Sequence, residues 1–356
     1  MNRTAKRTSR RDLLAAAGAA LAAGPAGIAA SPGKIFCVDC QSHIFIPEAV
    51  RVMEKRKTPP YAYRKGGETY VVVGEWHRRL RKTHMDLDGK VAAMDAAGID
   101  VTALSINDPG PELFGEDGPR VARIMNDHLA DAARRYPGRF APLMVLPLQD
   151  MDAAIEELDR CVNRLRMKGI LLYSNLNGKF PDEPQFRPLF ARAEELDIPV
   201  LLHPAYPVTY DQTKAYSLTA GLGLMFDTTI ALARIILSGL LDQHPKLKLV
   251  CPHVGGTLPY LIGRLDHQTQ VLKRGAEHIT KPPSEYLRHI YLDAVSPLAL
   301  AIRYGYDFVG PDRLLYASDH PWVDPKLIAG LIRSLKLPAA DERKIFGENA
   351  KRLFNL

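Results

Sequence analysis

From Lys34 to the C-terminus, short apolar runs alternate with stretches in which apolar residues recur every three or four positions. The short runs are Ile35–Phe45, Val101–Ile106, Ala141–Leu146, Gly169–Tyr173, Pro199–His203, Leu247–His253, Ile290–Asp293 and Arg313–Ala317. Continuous apolar runs of this length predict parallel strands buried on both faces. Asp86–Gly98, Asp150–Met167, Gln185–Leu196 and Phe226–His244 carry the helical period, so each predicts a helix with one face to bury. Eight such pairs without a Gly/Ser-rich linker predict a single α/β domain over residues 31–356, a (β/α)8 TIM barrel. A doubly wound open sheet is the alternative; no glycine-rich phosphate loop follows the first strand, which counts against its nucleotide-binding form.

Residues 46–85 interrupt the alternation as a long loop after strand 1. It holds Pro59-Pro60, Tyr61, Tyr63 and Trp76-His77-Arg78-Arg79, and reads either as a lid or specificity element at the barrel rim or as a solvated excursion. His77 and His84, within it, are expected at the surface.

Composition narrows the class. With 356 residues, 46% hydrophobic and 24% charged, the chain is globular rather than disordered, collagen-like or coiled-coil. The formal charge of +7 is localised. Residues 1–30 carry Arg3, Lys6, Arg7, Arg10 and Arg11 against Asp12, and residues 46–85 hold ten Lys and Arg against four Glu. The remainder is slightly acidic, so no nucleic-acid partner is expected, and an anionic small substrate suits the one basic segment as well.

The leader reads as an address. Ser9-Arg10-Arg11-Asp12-Leu13-Leu14 opens an Ala/Gly-rich apolar run ending before Ser31-Pro32, which resembles a bacterial twin-arginine signal peptide over residues 1–30. Gly27, Ala29 and Ala30 offer a peptidase site, so a periplasmic protein without stable membrane insertion is expected. An uncleaved anchor is the alternative, disfavoured by Pro25 and the glycines of the run. Cys37, Cys40, Cys161 and Cys251 are too few for a disulfide framework, and positions 37 and 40 of one strand face opposite ways.

Chemistry gathers at the ends of the predicted strands. In Val38-Asp39-Cys40-Gln41-Ser42-His43, residues 39, 41 and 43 share one face, because side chains alternate along a strand. Three further apolar runs stop at His203, His253 and Ser318-Asp319. Any one such histidine reads most simply as a hydrogen-bonded structural residue. In a barrel, however, the four ends share one rim, where Gln41, His43, His203 and Asp319 would form a mixed N/O site for a divalent cation.

These segments, with Met94-Asp95-Ala96-Ala97-Gly98-Ile99-Asp100, Pro252-His253-Val254-Gly255-Gly256, Tyr316-Ala317-Ser318-Asp319-His320-Pro321 and Glu348-Asn349-Ala350-Lys351-Arg352-Leu353-Phe354, resemble in their order the amidohydrolase superfamily. The similar branch is amidohydrolase-2, which includes aminocarboxymuconate-semialdehyde and γ-resorcylate decarboxylases. The resemblance implies His43, His203 and Asp319 as ligands of one divalent metal and His253 in proton transfer. Zinc is the first expectation, with manganese or magnesium as alternatives. The chain departs from the pattern at Gln41, which stands where the family has histidine or glutamate. A glutamine oxygen is a neutral, weaker and harder donor than histidine, so the change could shift metal preference, leave a site filled only with substrate, or mark lost catalysis.

The expected activity is non-oxidative decarboxylation of a small, aromatic or unsaturated carboxylic acid, with His253 and Asp319 as the catalytic pair. Hydrolysis of an ester, lactone or amide by the same residues is the alternative, and a non-catalytic metal-pocket binding protein the second. Tyr173, Asn175, Arg264 and Trp322 are candidate substrate contacts, while Asp39, Asp293 and His320 are candidates to orient the site. Arg264 reads more simply as a solvated or interface arginine than as a carboxylate clamp. Relatives in this branch imply a homodimer or homotetramer.

Overall fold

The computed structural model describes residues 35–356; the segment read from sequence as a twin-arginine signal lies outside them. Eight parallel strands form the barrel: β1 (Val38–Ile44), β5 (Val101–Ile106), β6 (Phe140–Met144), β7 (Gly169–Tyr173), β8 (Val200–His203), β9 (Leu249–Cys251), β10 (Tyr291–Asp293) and β11 (Leu314–Leu315), hydrogen-bonded in that order. β1, β5, β6, β7 and β8 are buried at every position, as strands covered on both faces must be. The expected eight strands are therefore all present, with trimmed ends; the run 313–317 pairs regularly only at Leu314–Leu315.

No ladder joins β11 to β1. Three backbone bonds close the circle instead: Cys40 N–H to Tyr316 O (3.0 Å), Asp319 N–H to Gln41 O (2.9 Å) and His43 N–H to His320 O (2.8 Å). This seam lies between the two segments richest in candidate ligands.

Helix limits follow local chemistry. Asp86 caps Leu87–Ala97 by accepting from Gly89 N–H, and Gly98 ends it in the left-handed region at φ 73°. Asp150 caps Met151–Asn163 in the same way. The stretch expected as one helix over 226–244 is two, Leu224–Leu237 and Leu240–Gln243, broken at Gly239 with φ 73°.

The segment 46–85 is not the irregular loop its sequence suggests. It begins with helix Pro47–Met53 and continues as an antiparallel sheet of β2 (Tyr61–Lys65), β3 (Glu68–Val73) and β4 (Trp76–Leu80). Gly66-Gly67 and Gly74-Glu75 make the two-residue turns, with positive φ at all three glycines. Gly74 also has no room for a side chain, since a Cβ would lie 2.4 Å from the Tyr206 ring. Glu75 N–H donates to Tyr206 Oη and Tyr210 Oη donates to Glu75 O, so the hairpin tip docks on the loop after β8. His84 is buried rather than superficial, between the Phe45 ring (6.1 Å between centroids) and the Trp322 ring (4.7 Å). All four cysteines are buried, and no disulfide joins them.

After β5, the turn Pro111–Asp117 buries Glu112 beside Asp108. Burial, reinforced by the Asp108 charge, pushes the Glu112 carboxyl up to about 8. The unfolded chain releases this proton near pH 4.5 while the folded chain keeps it, so stability falls as pH rises through the window from 4.5 to 8. Glu112→Gln should gain about 2 to 5 kcal/mol over wild type between pH 4 and pH 9. Urea unfolding at both pH values measures this; parallel pH profiles for the two proteins would refute it.

Candidate active site

Side-chain alternation along β1 turns Gln41 and His43 toward the barrel interior, where both are buried. His43 Nδ1 lies 2.8 Å from Ser105 Oγ, whose hydroxyl donates to Ser42 O, so the oxygen accepts and Nδ1 carries the hydrogen. At the end of β8, His203 Nδ1 lies 2.8 Å from Pro204 O, which can only accept. Both imidazoles, when neutral, therefore present a bare Nε2, and that of His203 is buried with no partner.

Asp319 completes the group. His43 Nε2, His203 Nε2 and an Asp319 carboxylate oxygen all lie within 4.8 Å of one another. Two neutral imidazoles and a carboxylate are a donor set for a divalent cation, and the orphaned His203 nitrogen is what such a site needs. Burial opposes ionisation of Asp319, but His253 and His43, in their protonated forms, donate to it and attract it, which holds the carboxyl well below its usual range. Burial and the two neighbouring histidines keep His203 neutral.

Gln41 occupies the middle of the cluster. Its Nε2 is 3.3 Å from His43 Nε2, 3.3 Å from Asp319 Oδ1 and 3.5 Å from His253 Nε2, while its Oε1 is buried without a partner. The amide thus donates into the space that the ligands surround. Its terminal torsion is two-fold, and the opposite setting offers the oxygen to the same space.

His253 follows β9 in the turn His253-Val254-Gly255-Gly256, every residue of which has positive φ. Asp293, at the end of β10, fixes this turn by accepting from His253 N–H (2.8 Å) and Val295 N–H (3.0 Å). A side chain at Gly256 would meet Thr229 Oγ1 at 2.6 Å and the Met225 carbonyl at 2.8 Å, so the turn packs tightly on helix Leu224–Leu237. His253 Nε2 is 3.8 Å from Asp319 Oδ2. Burial lowers the imidazole's proton affinity, but the carboxylates of Asp319 and Asp293 more than reverse this, and its pKa is raised.

Asp39 lies one alternation below Gln41 and binds the seam. Its carboxylate accepts from Ser318 N–H (2.8 Å) and Ser318 Oγ–H (2.6 Å), and burial pushes it up to about 6. Asp39 and Asp293 both hold backbone that carries a candidate ligand or acid.

Above the cluster opens a cavity of about 810 Å³ whose walls include Trp76, Leu224, Met225, Tyr260 and Trp322. Asn107, Asp108, His203, His253 and Asp319 reach it as polar groups. Arg78, from β4, donates to Asp108 Oδ1 (2.5 Å), Asp108 O (2.8 Å) and Asn107 Oδ1 (3.2 Å). Its guanidinium lies 4.7 Å from the Trp76 ring, while its Nε and Asp108 Oδ2 are buried without partners.

Of the substrate contacts expected from sequence, the structure sets Trp322 on this cavity and the other three off its lining. Tyr173 is buried behind His203, with ring centroids 6.3 Å apart. Asn175 donates to Tyr206 O and Asp227 and faces a second, smaller cavity under the hairpin. Arg264 is exposed on helix Leu258–Asp266. His320 turns away from the metal-binding group, toward Lys90. Sequence reasoning left Arg78 inside a basic run and did not single out Lys90 or Ser105, which reach the site through tertiary contacts without a motif of their own.

Comparison with known proteins bears on the same residues. Residues 38–356 match the amidohydrolase family. The γ-resorcylate decarboxylase of Rhizobium sp. (strain MTP-10005) is 31% identical over 313 residues, covering 80% of this chain and 92% of that protein. A crystal structure of 2,6-dihydroxybenzoate decarboxylase with 2,6-dihydroxybenzoate superposes with a TM-score of 0.77 at 28% identity, over 90% of this chain and 99% of that one. A dihydroxybenzoic acid decarboxylase from Polaromonas sp. JS666, with bound manganese and the inhibitor 2-nitroresorcinol, gives 0.77 at 26% identity, over 90% and 97%. A barrel with two bare imidazole nitrogens and a carboxylate at its open end, matched along nearly its whole described length, places this chain in the amidohydrolase family.

Proposed function

We propose that the protein is a metal-dependent, non-oxidative decarboxylase of a small aromatic carboxylic acid. The observation that carries this reading is the meeting of His43 Nε2, His203 Nε2 and Asp319 at the floor of an aromatic-walled cavity that also holds Arg78. The similarity to decarboxylases of dihydroxybenzoic acids supports it.

His43, His203 and Asp319 would hold the divalent cation, with Gln41 as a fourth donor through its oxygen. When bound, the cation supplies a Lewis acid and a template for the substrate's carboxylate and an adjacent oxygen. Trp76 and Trp322 supply flat apolar walls for a ring and exclude water, which strengthens every charge interaction inside. Arg78, part-neutralised by Asp108, adds positive charge to the wall where an anionic substrate enters. The His253–Asp319 pair holds a proton that passes to the ring carbon bearing the carboxylate. The carbon–carbon bond then breaks, its electron pair stays on the ring, and carbon dioxide leaves. Atoms and charge balance without a redox cofactor.

Glutamine for histidine in the donor set favours a harder cation, and manganese is the ion bound in the Polaromonas relative. We further propose that residues 1–30 are a cleaved twin-arginine signal.

His253→Ala and Asp319→Asn should each lower kcat at least about 100-fold for carbon dioxide release from dihydroxybenzoates, with an unchanged far-UV circular dichroism spectrum. Retained turnover in either folded variant would remove the catalytic assignment. Gln41→His should raise zinc affinity about tenfold or more, read by elemental analysis after dialysis. Equal metal content in wild type and variant would mean that residue 41 is no ligand. N-terminal sequencing of the exported protein should begin near Ala30 or Ser31; an exported chain that retains Arg10-Arg11 would refute the leader assignment.

A further inference from the structure

Lys90 lies on the second turn of helix Leu87–Ala97 and is only 2% exposed, a rare state for lysine unless its charge is met. Its ammonium meets three acceptors: Ser42 Oγ at 2.7 Å, His320 Nδ1 at 2.8 Å and His320 O at 3.2 Å. Three N–H donors thus face three oxygen or nitrogen atoms, a complete match for this group. Burial presses its pKa down to about 7 against the attraction of Asp39 and Asp319. The Lys90 ammonium can only donate, so His320 Nδ1 is the acceptor of their 2.8 Å contact.

The acceptors belong to the two sides of the seam. Ser42 sits on β1 between Gln41 and His43, and His320 directly follows Asp319. The segment 318–320 is otherwise held by Ser318 on Asp39, by His320 N–H donating to Ser318 Oγ (3.1 Å), by Ser42 Oγ–H donating to His320 O (3.1 Å), by Trp322 N–H donating to Asp319 O (2.9 Å), and by the two closing backbone bonds. Asp319 itself stands at φ 56°, in the left-handed region that residues with a Cβ adopt uncommonly, aspartate more readily than most. No atom of Lys90 is bonded to the cluster of His43, His203 and Asp319. It grips the residues on either side of two ligands, from the outer face.

We propose that Lys90 is a positioning residue for the metal centre: by joining Ser42 to His320 across the seam, it holds Asp319 in the left-handed turn that aims its carboxylate at His43 and His203. The role rests on the metal-centre reading above. Removing the ammonium frees His320 to move, and the Asp319 backbone can then relax toward an ordinary conformation that withdraws the carboxylate. The β1 ligands, carried by a strand paired with β5, stay where they are.

Manganese alone is the probe. In equilibrium dialysis of the full chain, Lys90→Met should bind Mn²⁺ about 10- to 100-fold more weakly than wild type, the range found when groups that orient ligands are lost. Ser42→Ala removes one Lys90 acceptor and the direct Ser42–His320 bond but leaves Lys90 its two contacts to His320, and should show a smaller loss in the same direction. The dialysis is run well below the unfolding midpoint measured in chelator, where a loss of global stability alone does not change affinity. Folded Lys90→Met with wild-type Mn²⁺ affinity would overturn the proposal and leave the metal centre standing. Should Lys90→Met fail to fold, unchanged affinity in Ser42→Ala overturns it instead. A wild-type chain that binds neither manganese nor zinc would overturn the metal centre and this role together.

Discussion

The site depends on one constraint: polar side chains buried at the mouth of a dry barrel must each find a partner, and the barrel has a gap where partners are scarce. β11 is two residues long, and the circle closes through three backbone bonds rather than a ladder. The polar groups that a ladder would have satisfied are taken up by side chains instead. Asp39 holds Ser318, Lys90 spans Ser42 and His320, and Ser105 holds His43. Three interior atoms of this group of residues remain unpaired, His203 Nε2, Gln41 Oε1 and His253 Nδ1, and His203 lies with His43 and Asp319 where chemistry is expected. Structure and function here share one ledger of hydrogen bonds: what the seam leaves unsatisfied is what a ligand can use.

Two polarities are set against each other within that space. The carboxylate of Asp319 and the imidazole of His253 shift each other in opposite directions, one down and one up, because each stabilises the charged form of the other. Gln41 adds no charge to this balance. Its amide carries two donor hydrogens beside its oxygen, and the donors lie against His43 and Asp319. The identity of this one residue therefore adjusts how firmly the centre holds an ion, without disturbing how the histidines are oriented from behind.

Much of the architecture was legible because burial on both faces writes itself as continuous apolar runs. All eight strands were placed, and Gln41, His43, His203, His253 and Asp319 were found as polar endings of such runs. Legibility failed where three-dimensional contact overrides local pattern. The 46–85 segment looked irregular because its strands are short and half exposed, yet glycine turns and a docked tip make it a sheet. His84 read as superficial because its burial comes from Phe45 and Trp322, the latter more than two hundred residues away. Tyr173 and Asn175 end a strand as the ligands do, but the neighbouring loop diverts them behind the wall. Lys90 had no signature: a lysine on an amphipathic helix is ordinarily solvated, and only the seam makes it internal.

The hairpin sheet of β2, β3 and β4 brings its own turns and paired backbone; it meets the barrel through Gly74 against Tyr206, Glu75 on Tyr210 and Arg78 on Asp108, and its Ala62, Val71, Val73 and Leu80 join the hydrophobic core. It contributes Trp76 and Arg78 to the cavity wall but no atom to the metal-binding group. Part of the wall that a substrate meets is thus carried by a different stretch of chain from the ligands. Insertions, deletions or swaps in this ornament can re-tailor the shape and charge a substrate meets while the scaffold that performs the reaction is inherited intact.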